Sequence, residues 1–202
     1  MAKTEFIHME RLARGDDAAF ELILERYKKR IFGIIYRYIQ DRTLAEDLSQ
    51  EVFIRIYNAR HTYEPTAKFS TWVYAITSNL CLNEIRKQKA AGKVFSLHDV
   101  AGDGEHERMN GIANGRTADP SEQLEKEEIA AYVRKVISEL PDQQRMAVIL
   151  RRYEDESYQD IARAMKLSVS AIKSLLSRAR ENIRRKMAPF LSRSGETTGI
   201  DD

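Results

Sequence analysis

The chain has 202 residues, 43% hydrophobic and 32% charged, with a formal net charge of +2, which suits one domain or two small ones. A single cysteine, Cys81, and four scattered histidines exclude an intramolecular disulfide and a multi-cysteine zinc centre, so no metal and no cofactor are expected. No apolar run approaches the roughly 20 residues of a membrane span, and the opening MAKTEFIHMERLARGDD lacks the apolar core of a signal peptide, so a cytoplasmic location is expected.

Charge is unevenly placed. Residues 1–95 carry 16 Lys/Arg against 12 Asp/Glu, 96–120 carry 2 against 5, and 121–191 carry 14 against 11. Two basic blocks around an acidic connector point to two modules that contact one polyanion.

Asp16 or Asp17 is placed to cap a helix through about Ile39, with Phe20, Ile23, Leu24, Tyr27, Ile31, Ile34, Ile35 and Tyr38 on one broad face. Asp41-Arg42-Thr43 opens the next helix, which carries Leu44, Leu48, Val52, Phe53, Ile56 and Tyr57. A loop broken by Pro65 leads to Ser70 or Thr71, expected to cap a helix through about Lys89 with Trp72, Val73, Ile76, Leu80 and Ile85 inward. Five of the nine glycines then fall between Gly92 and Gly115, and this polar stretch reads as a flexible linker with no core. Helices resume from Ser121 to Leu140 and from Pro141 to about Glu154. The expected architecture is all-α: two small helical domains, residues 10–91 and 121–191, joined by a linker over 92–120 and followed by a disordered tail over 192–202.

The stretch SYQDIARAMKLSVSAIKSLLSRARENIRRK, Ser157 to Lys186, predicts two helices around a tight turn. Ile161, Met165, Leu167, Val169, Ile172 and Leu175 are apolar at offsets that fold one helix on the other, and Ala162 sits where the two must approach. This is helix-turn-helix spacing, whose second helix enters the DNA major groove. Residues 168–187 hold six Lys/Arg against one acid, a local +5 that a merely solvated amphipathic helix does not explain. Lys166 takes the turn position often held by Gly, at a cost of roughly 1 kcal/mol if left-handed. Ser170, Lys173, Ser174, Ser177 and Arg178 face outward near the start of the second helix, where Lys173, Ser174, Ser177 and Arg178 are the expected base readers. Arg180, Arg184, Arg151 and Arg152 are expected on phosphates.

Four segments in this order resemble the extracytoplasmic-function (ECF) family of bacterial sigma factors. AFELILERYKKRIFGIIYRYI is similar to the first region-two helix, DRTLAEDLSQEVFIRIYN to the core-polymerase-binding helix, KFSTWVYAITSNLCLNEIRKQK to the −10 reading helix, and LPDQQRMAVILRRYEDESYQDIARAMKLSVSAIKSLLSRARENIRRK to region four. The resemblance covers about residues 10–90 and 121–190. It implies a protein, not an enzyme, that binds core RNA polymerase and promoter DNA. It also implies an anti-sigma partner, and a monomer when free or one-to-one with its partner.

Asp47, Gln50 and Glu51 lie on one helical face, which is either a solvated acidic face or, as the resemblance implies, a dock for a basic coiled coil of the polymerase flanked by Phe53 and Arg55. Asn79, Asn83, Arg86 and Lys87 form a polar face able to meet bases and phosphates. The resemblance implies that the loop holding Tyr63 receives a flipped −10 base, and that the second helix of the helix-turn-helix reads the −35 element. Trp72 reads as core rather than as a DNA wedge. Asn83 replaces a frequent Asp, Thr77-Ser78 stand where a basic residue often precedes Asn79, and Leu175 replaces a frequent Arg, so no base preference is carried over. By resemblance the acidic linker threads the RNA channel; as residues it is equally a plain tether. Two rivals stay open: a stand-alone helix-turn-helix regulator, and an adaptor that binds polymerase without reading DNA.

Overall fold

A computed structural model describes residues 2–92 and 120–194, and the side chains of residues 4–92 and 128–192. The expectations placed on the linker and on residues 195–202 lie outside the described residues. Among the described residues eight helices follow in order: α1 (Ala2–Ala13), α2 (Asp17–Ile39), α3 (Arg42–Asn58), α4 (Phe69–Ala90), α5 (Pro120–Ser138), α6 (Asp142–Arg152), α7 (Tyr158–Met165) and α8 (Val169–Ser194). A 3-10 turn, Ala59–His61, follows α3. No strand occurs among the described residues.

The first half is a bundle on α2. Ile23, Tyr27, Ile31, Ile34, Ile35 and Tyr38 are buried along its expected face, and Leu48, Val52 and Ile56 of α3 pack on them. Burial and the Glu5 charge push the Tyr27 hydroxyl up to about 12. Asp41 caps α3, its carboxylate accepting from the Leu44 N–H at 2.9 Å. Asp16 does occupy the cap position of α2, but its carboxylate turns to Arg11 at 2.7 Å and makes no cap hydrogen bond. The α4 cap also differs from expectation. Lys68 takes that position, Ser70 and Thr71 lie inside the helix, and the Thr71 hydroxyl is used elsewhere.

Helix α1 is not foreseen by the sequence pattern. Met9 and Leu12 are buried against the first half, and Glu5, 4% exposed, is paired by Arg26 at 3.2 Å.

In the second half α6, α7 and α8 enclose Met146, Ile149, Leu150, Ile161, Ile172 and Ala179. Ser157 caps α7 by accepting from the Asp160 N–H, and Lys166 ends it in the left-handed region at φ 54°. The sequence pattern places a disordered tail over residues 192–202, yet α8 continues to Ser194. Pro189 removes a backbone donor. Buried Met187 and the stacking of Phe190 on Tyr132, centroids 4.4 Å apart, hold the last turns against α5.

The halves are closed on each other. Helix α4 packs on α7, and α2 on α6, so both halves share one continuous core. Tyr74, Thr77 and Ser78 of α4 are buried beside the expected apolar stripe, whereas Trp72 and Ile76 are only partly covered.

Candidate polymerase and nucleic-acid surfaces

Helix α3 offers a face to solvent. Asp47 and Gln50 lie exposed on it, and Glu51 is half-buried, held by Arg55 at 2.7 Å across one turn. Phe53 differs from its expected flanking place. It is buried, with its ring edge-on to Phe20 at 6.3 Å, and forms one wall of a shallow groove of about 340 Å³. Gln50, Ile54 and Tyr57 line the same groove, and Ile54 is 53% exposed. Ile54 is an apolar surface residue that the sequence motifs do not single out. Its spacing of four from Gln50 is the signal that places it on this face.

The second site lies where the Pro65 loop meets α4. Tyr63 packs against Phe69 (centroids 5.7 Å) and Trp72 (4.8 Å, planes tilted by 57°). Tyr63, Thr66, Thr71, Trp72 and Ala75 line a cleft of about 330 Å³, open to solvent, with Arg163 of α7 as one wall. Burial, with the Glu5 charge adding, raises the Tyr63 hydroxyl above its ordinary value. Trp72 is thus both packing and cleft wall. Asn83, Arg86 and Lys87 follow as exposed groups, with Asn79 half-buried. Arg86 donates to Asn83 at 3.2 Å. Cys81, on the other side of α4, is fully buried, and burial pushes its thiol up, which disfavours reactive thiolate.

The third surface is the start of α8. Ser170, Lys173, Ser174, Ser177, Arg178 and Arg180 are exposed, while Ile172 and Ala179 are buried beneath them. The Ser168 hydroxyl accepts from the Ala171 N–H at 3.1 Å and fixes the helix entry. Leu175 is half-buried against the core. Arg151 is tied into its own loop, bonding Asp155 at 3.3 Å and the Glu156 carbonyl at 3.1 Å, while Arg152 is exposed beside it.

A polar seam that no sequence motif announces joins the halves. Lys68 and Thr71 donate to Asp160 at 2.7 and 3.2 Å, and Tyr74 donates to Glu154 at 2.7 Å. Lys89 donates to Asp142 at 2.6 Å, and Arg145 to the Tyr38 carbonyl at 2.9 Å. Burial pushes Asp160 up, but hydrogen bonds from Lys68, Ser157 and Thr71 outweigh it and hold the carboxyl below its ordinary value. Burial raises Glu154 and Glu156, the latter further through the Asp160 charge. Burial lowers Arg145.

No group of side chains able to hold a metal occurs among the described residues. Nor is any helix among them long and apolar enough to cross a membrane.

Comparison with known proteins adds an independent line. Residues 23–91 match the family model Sigma-70 region 2, and residues 130–183 match Sigma-70, region 4. The RNA polymerase sigma-H factor of Pseudomonas aeruginosa is 34% identical over 183 residues, covering 91% of this chain and 93% of that protein. The ECF RNA polymerase sigma-E factor of Escherichia coli K12 is 31% identical over 190 residues, covering 94% and 97%. Among solved structures, CnrH in complex with the cytosolic domain of CnrY aligns with a TM-score of 0.65 at 18% identity, covering 92% of this chain and 98% of that one. The sigma factor RpoE of Bartonella quintana, in complex with the anti-sigma factor NepR, aligns at 0.62 and 21%, covering 84% and 96%. At these identities the solved structures speak to the fold.

Proposed function

The chain belongs to the extracytoplasmic-function family of RNA polymerase sigma factors, and from that premise we propose how its surfaces divide the work. It binds core RNA polymerase and directs promoter-specific initiation. Residues 10–91 carry core binding and the −10 element, and residues 121–191 carry the −35 element. The exposed face of α3, with Asp47, Gln50, Glu51 and Arg55, docks on a basic polymerase element, and the Phe53 groove with Ile54 takes an apolar side chain beside it.

The cleft between Tyr63 and Trp72 receives an unstacked −10 base, since an aromatic wall offsets part of the cost of unstacking. Asn79 and Asn83 meet base edges there, and Arg86 and Lys87 hold phosphates. Lys173, Ser174, Ser177 and Arg178, with Ser170, read the −35 element, and Arg180, Arg151 and Arg152 hold its backbone. An anti-sigma protein bound one-to-one is a further partner of this reading, and the cytoplasm, where polymerase works, is its place.

The observation that carries the proposal is the pairing, in one chain, of an aromatic cleft at the start of α4 with a basic, outward face at the start of α8. The rival, a stand-alone helix-turn-helix regulator, is separated by gel shift on a promoter library with and without core polymerase. A sigma factor gives specific shifts only with core. Specific, high-affinity shifts by the chain alone contradict the proposal.

A further inference from the structure

Glu5 of α1 is 4% exposed, and a run of rings joins it to the Tyr63–Trp72 cleft. Its Oε1 lies 3.2 Å from Arg26 and accepts from the Tyr27 hydroxyl at 3.5 Å, and its Oε2 is buried without a hydrogen bond among the described residues. The Tyr27 ring meets Phe69 edge-on at 5.3 Å, and Phe69 in turn meets Tyr63 and Trp72 at 5.7 and 5.5 Å. The Glu5 charge is felt at the Tyr63 hydroxyl as well as at that of Tyr27. Helix α1 also packs on the 3-10 turn Ala59–His61, from which the Tyr63 loop departs.

We propose that Glu5 is a positioning residue for promoter opening: it backs the Tyr63 wall of the cleft, and its Oε2 is the acceptor that takes the Tyr63 hydroxyl once a base is seated against that ring. What the cleft receives rests on the sigma-factor reading; the anchoring of the wall rests on the geometry.

Three features favour this role over plain packing of α1. First, Met9 and Leu12 already bury an apolar stripe of that helix, and a buried carboxylate costs stability unless it is paired and hydrogen-bonded. Glu5 is only partly repaid, by a long hydrogen bond and by an Arg26 whose side chain is 42% exposed. An acceptor left over in the core calls for a donor that arrives later. Second, Tyr63 is that donor by position, since it stands on a loop, whereas Tyr27 and Phe69 are fixed in helices. A base in the cleft excludes water from this corner, and a hydrogen bond there is strengthened as water leaves. Third, Glu5 is too deeply buried to meet DNA itself, so it acts through the ring it holds.

The test is a double-mutant cycle in the full-length protein bound to core polymerase, between Glu5→Gln and Tyr63→Ala. The readout is the rate of open-complex formation, followed by 2-aminopurine fluorescence in the −10 element, with core affinity measured alongside. Glu5→Gln alone is expected to slow opening about three- to ten-fold, the size of one hydrogen bond's net contribution, with core affinity unchanged. In the Tyr63→Ala background the same substitution should change the rate less than about two-fold, because the group it positions is gone. An equal slowing in both backgrounds makes Glu5 merely structural and overturns the proposal, as does no slowing in either. Should Glu5→Gln lose helical circular dichroism, Tyr27→Phe withdraws a Glu5 hydrogen bond and keeps the ring on Phe69. Slowing that disappears in the Tyr63→Ala background then supports the proposal, and slowing that persists there, or none at all, overturns it. Failure of the wild-type protein to open any promoter with core would sink the sigma-factor reading instead.

Discussion

The ring of Tyr63 lies 4.8 Å from that of Trp72, the two tilted by 57°, where the loop after α3 turns into α4. Trp72 is anchored by its helix and by Phe69 at 5.5 Å, whereas Tyr63 comes from the loop. One wall of the cleft is therefore built into the fold and the other is set against it. Tyr63→Ala removes a stacking partner and little core. It is expected to cost promoter opening about 1–3 kcal/mol, roughly ten- to hundred-fold in open-complex formation, with core binding unchanged in a pull-down. An equal loss in core binding would place Tyr63 elsewhere in the mechanism.

On α8 and α6 the two kinds of DNA contact separate by their response to salt. Lys173→Ala is expected to relax preference at one position of the −35 element and to cost about 1–3 kcal/mol against the preferred sequence. Arg152→Ala is expected to weaken binding to all sequences alike and to lower the salt slope by about one. Binding of the holoenzyme to a randomised −35 library at several salt concentrations checks both. A uniform loss for Lys173→Ala makes it a phosphate contact.

Lys166 holds φ 54° at the turn between α7 and α8, with its N–H bonded back to the Arg163 carbonyl. Its side chain is exposed, so Lys166→Gly relieves a left-handed backbone without removing packing. The expected gain is up to about 1 kcal/mol, or a rise in Tm of roughly 2–4 °C, reduced by the added freedom of Gly in the unfolded chain. A fall in Tm would show that the lysine stem stabilises the turn.

The helix-turn-helix and its turn are legible in sequence because each depends on residues within one or two turns of the chain. The same holds for the buried face of α2 and for the Asp41 cap. Helix α1 escapes such a reading although Met9 and Leu12 stand three apart, because its remaining anchor, Glu5, is a charged residue buried by pairing with Arg26. The second buried face of α4 is polar in character, and Tyr74, Thr77 and Ser78 carry no apolar period. Helix α4 packs on α7 and α6, more than 60 residues further on, as well as on α2 and α3, and no local pattern encodes those distant contacts. Thr71 looks like a cap in sequence because Thr commonly caps. In the fold its hydroxyl serves Asp160.

The seam also sets a pH dependence of two signs. Glu156 is raised above its ordinary 4.5 by burial and by Asp160, with Lys68, Ser70 and Arg30 partly offsetting. A raised folded value means that stability is gained as pH falls through that value toward the ordinary one. Asp160 is held below its ordinary 3.8, so its contribution is present above that value and is lost as pH falls through the folded one. Tm measured against pH is expected to show a rise toward about 4.5 and a fall below about 3.8 from these groups. Glu156→Gln should shrink the upper limb, which Glu154 shares, and leave the lower limb unchanged. An unaltered upper limb would contradict the assignment.

On the proposed division of work, the α3 face, the Tyr63 cleft and the α8 surface act together only on the polymerase. Run-off transcription with purified core polymerase across a promoter library tests this in one measurement. Expected are transcripts from a restricted set of promoters sharing a −35 and a −10 element, strongly reduced by Tyr63→Ala and redistributed by Lys173→Ala. Transcripts no different from those of core alone, from a chain that binds core in a pull-down, would contradict it.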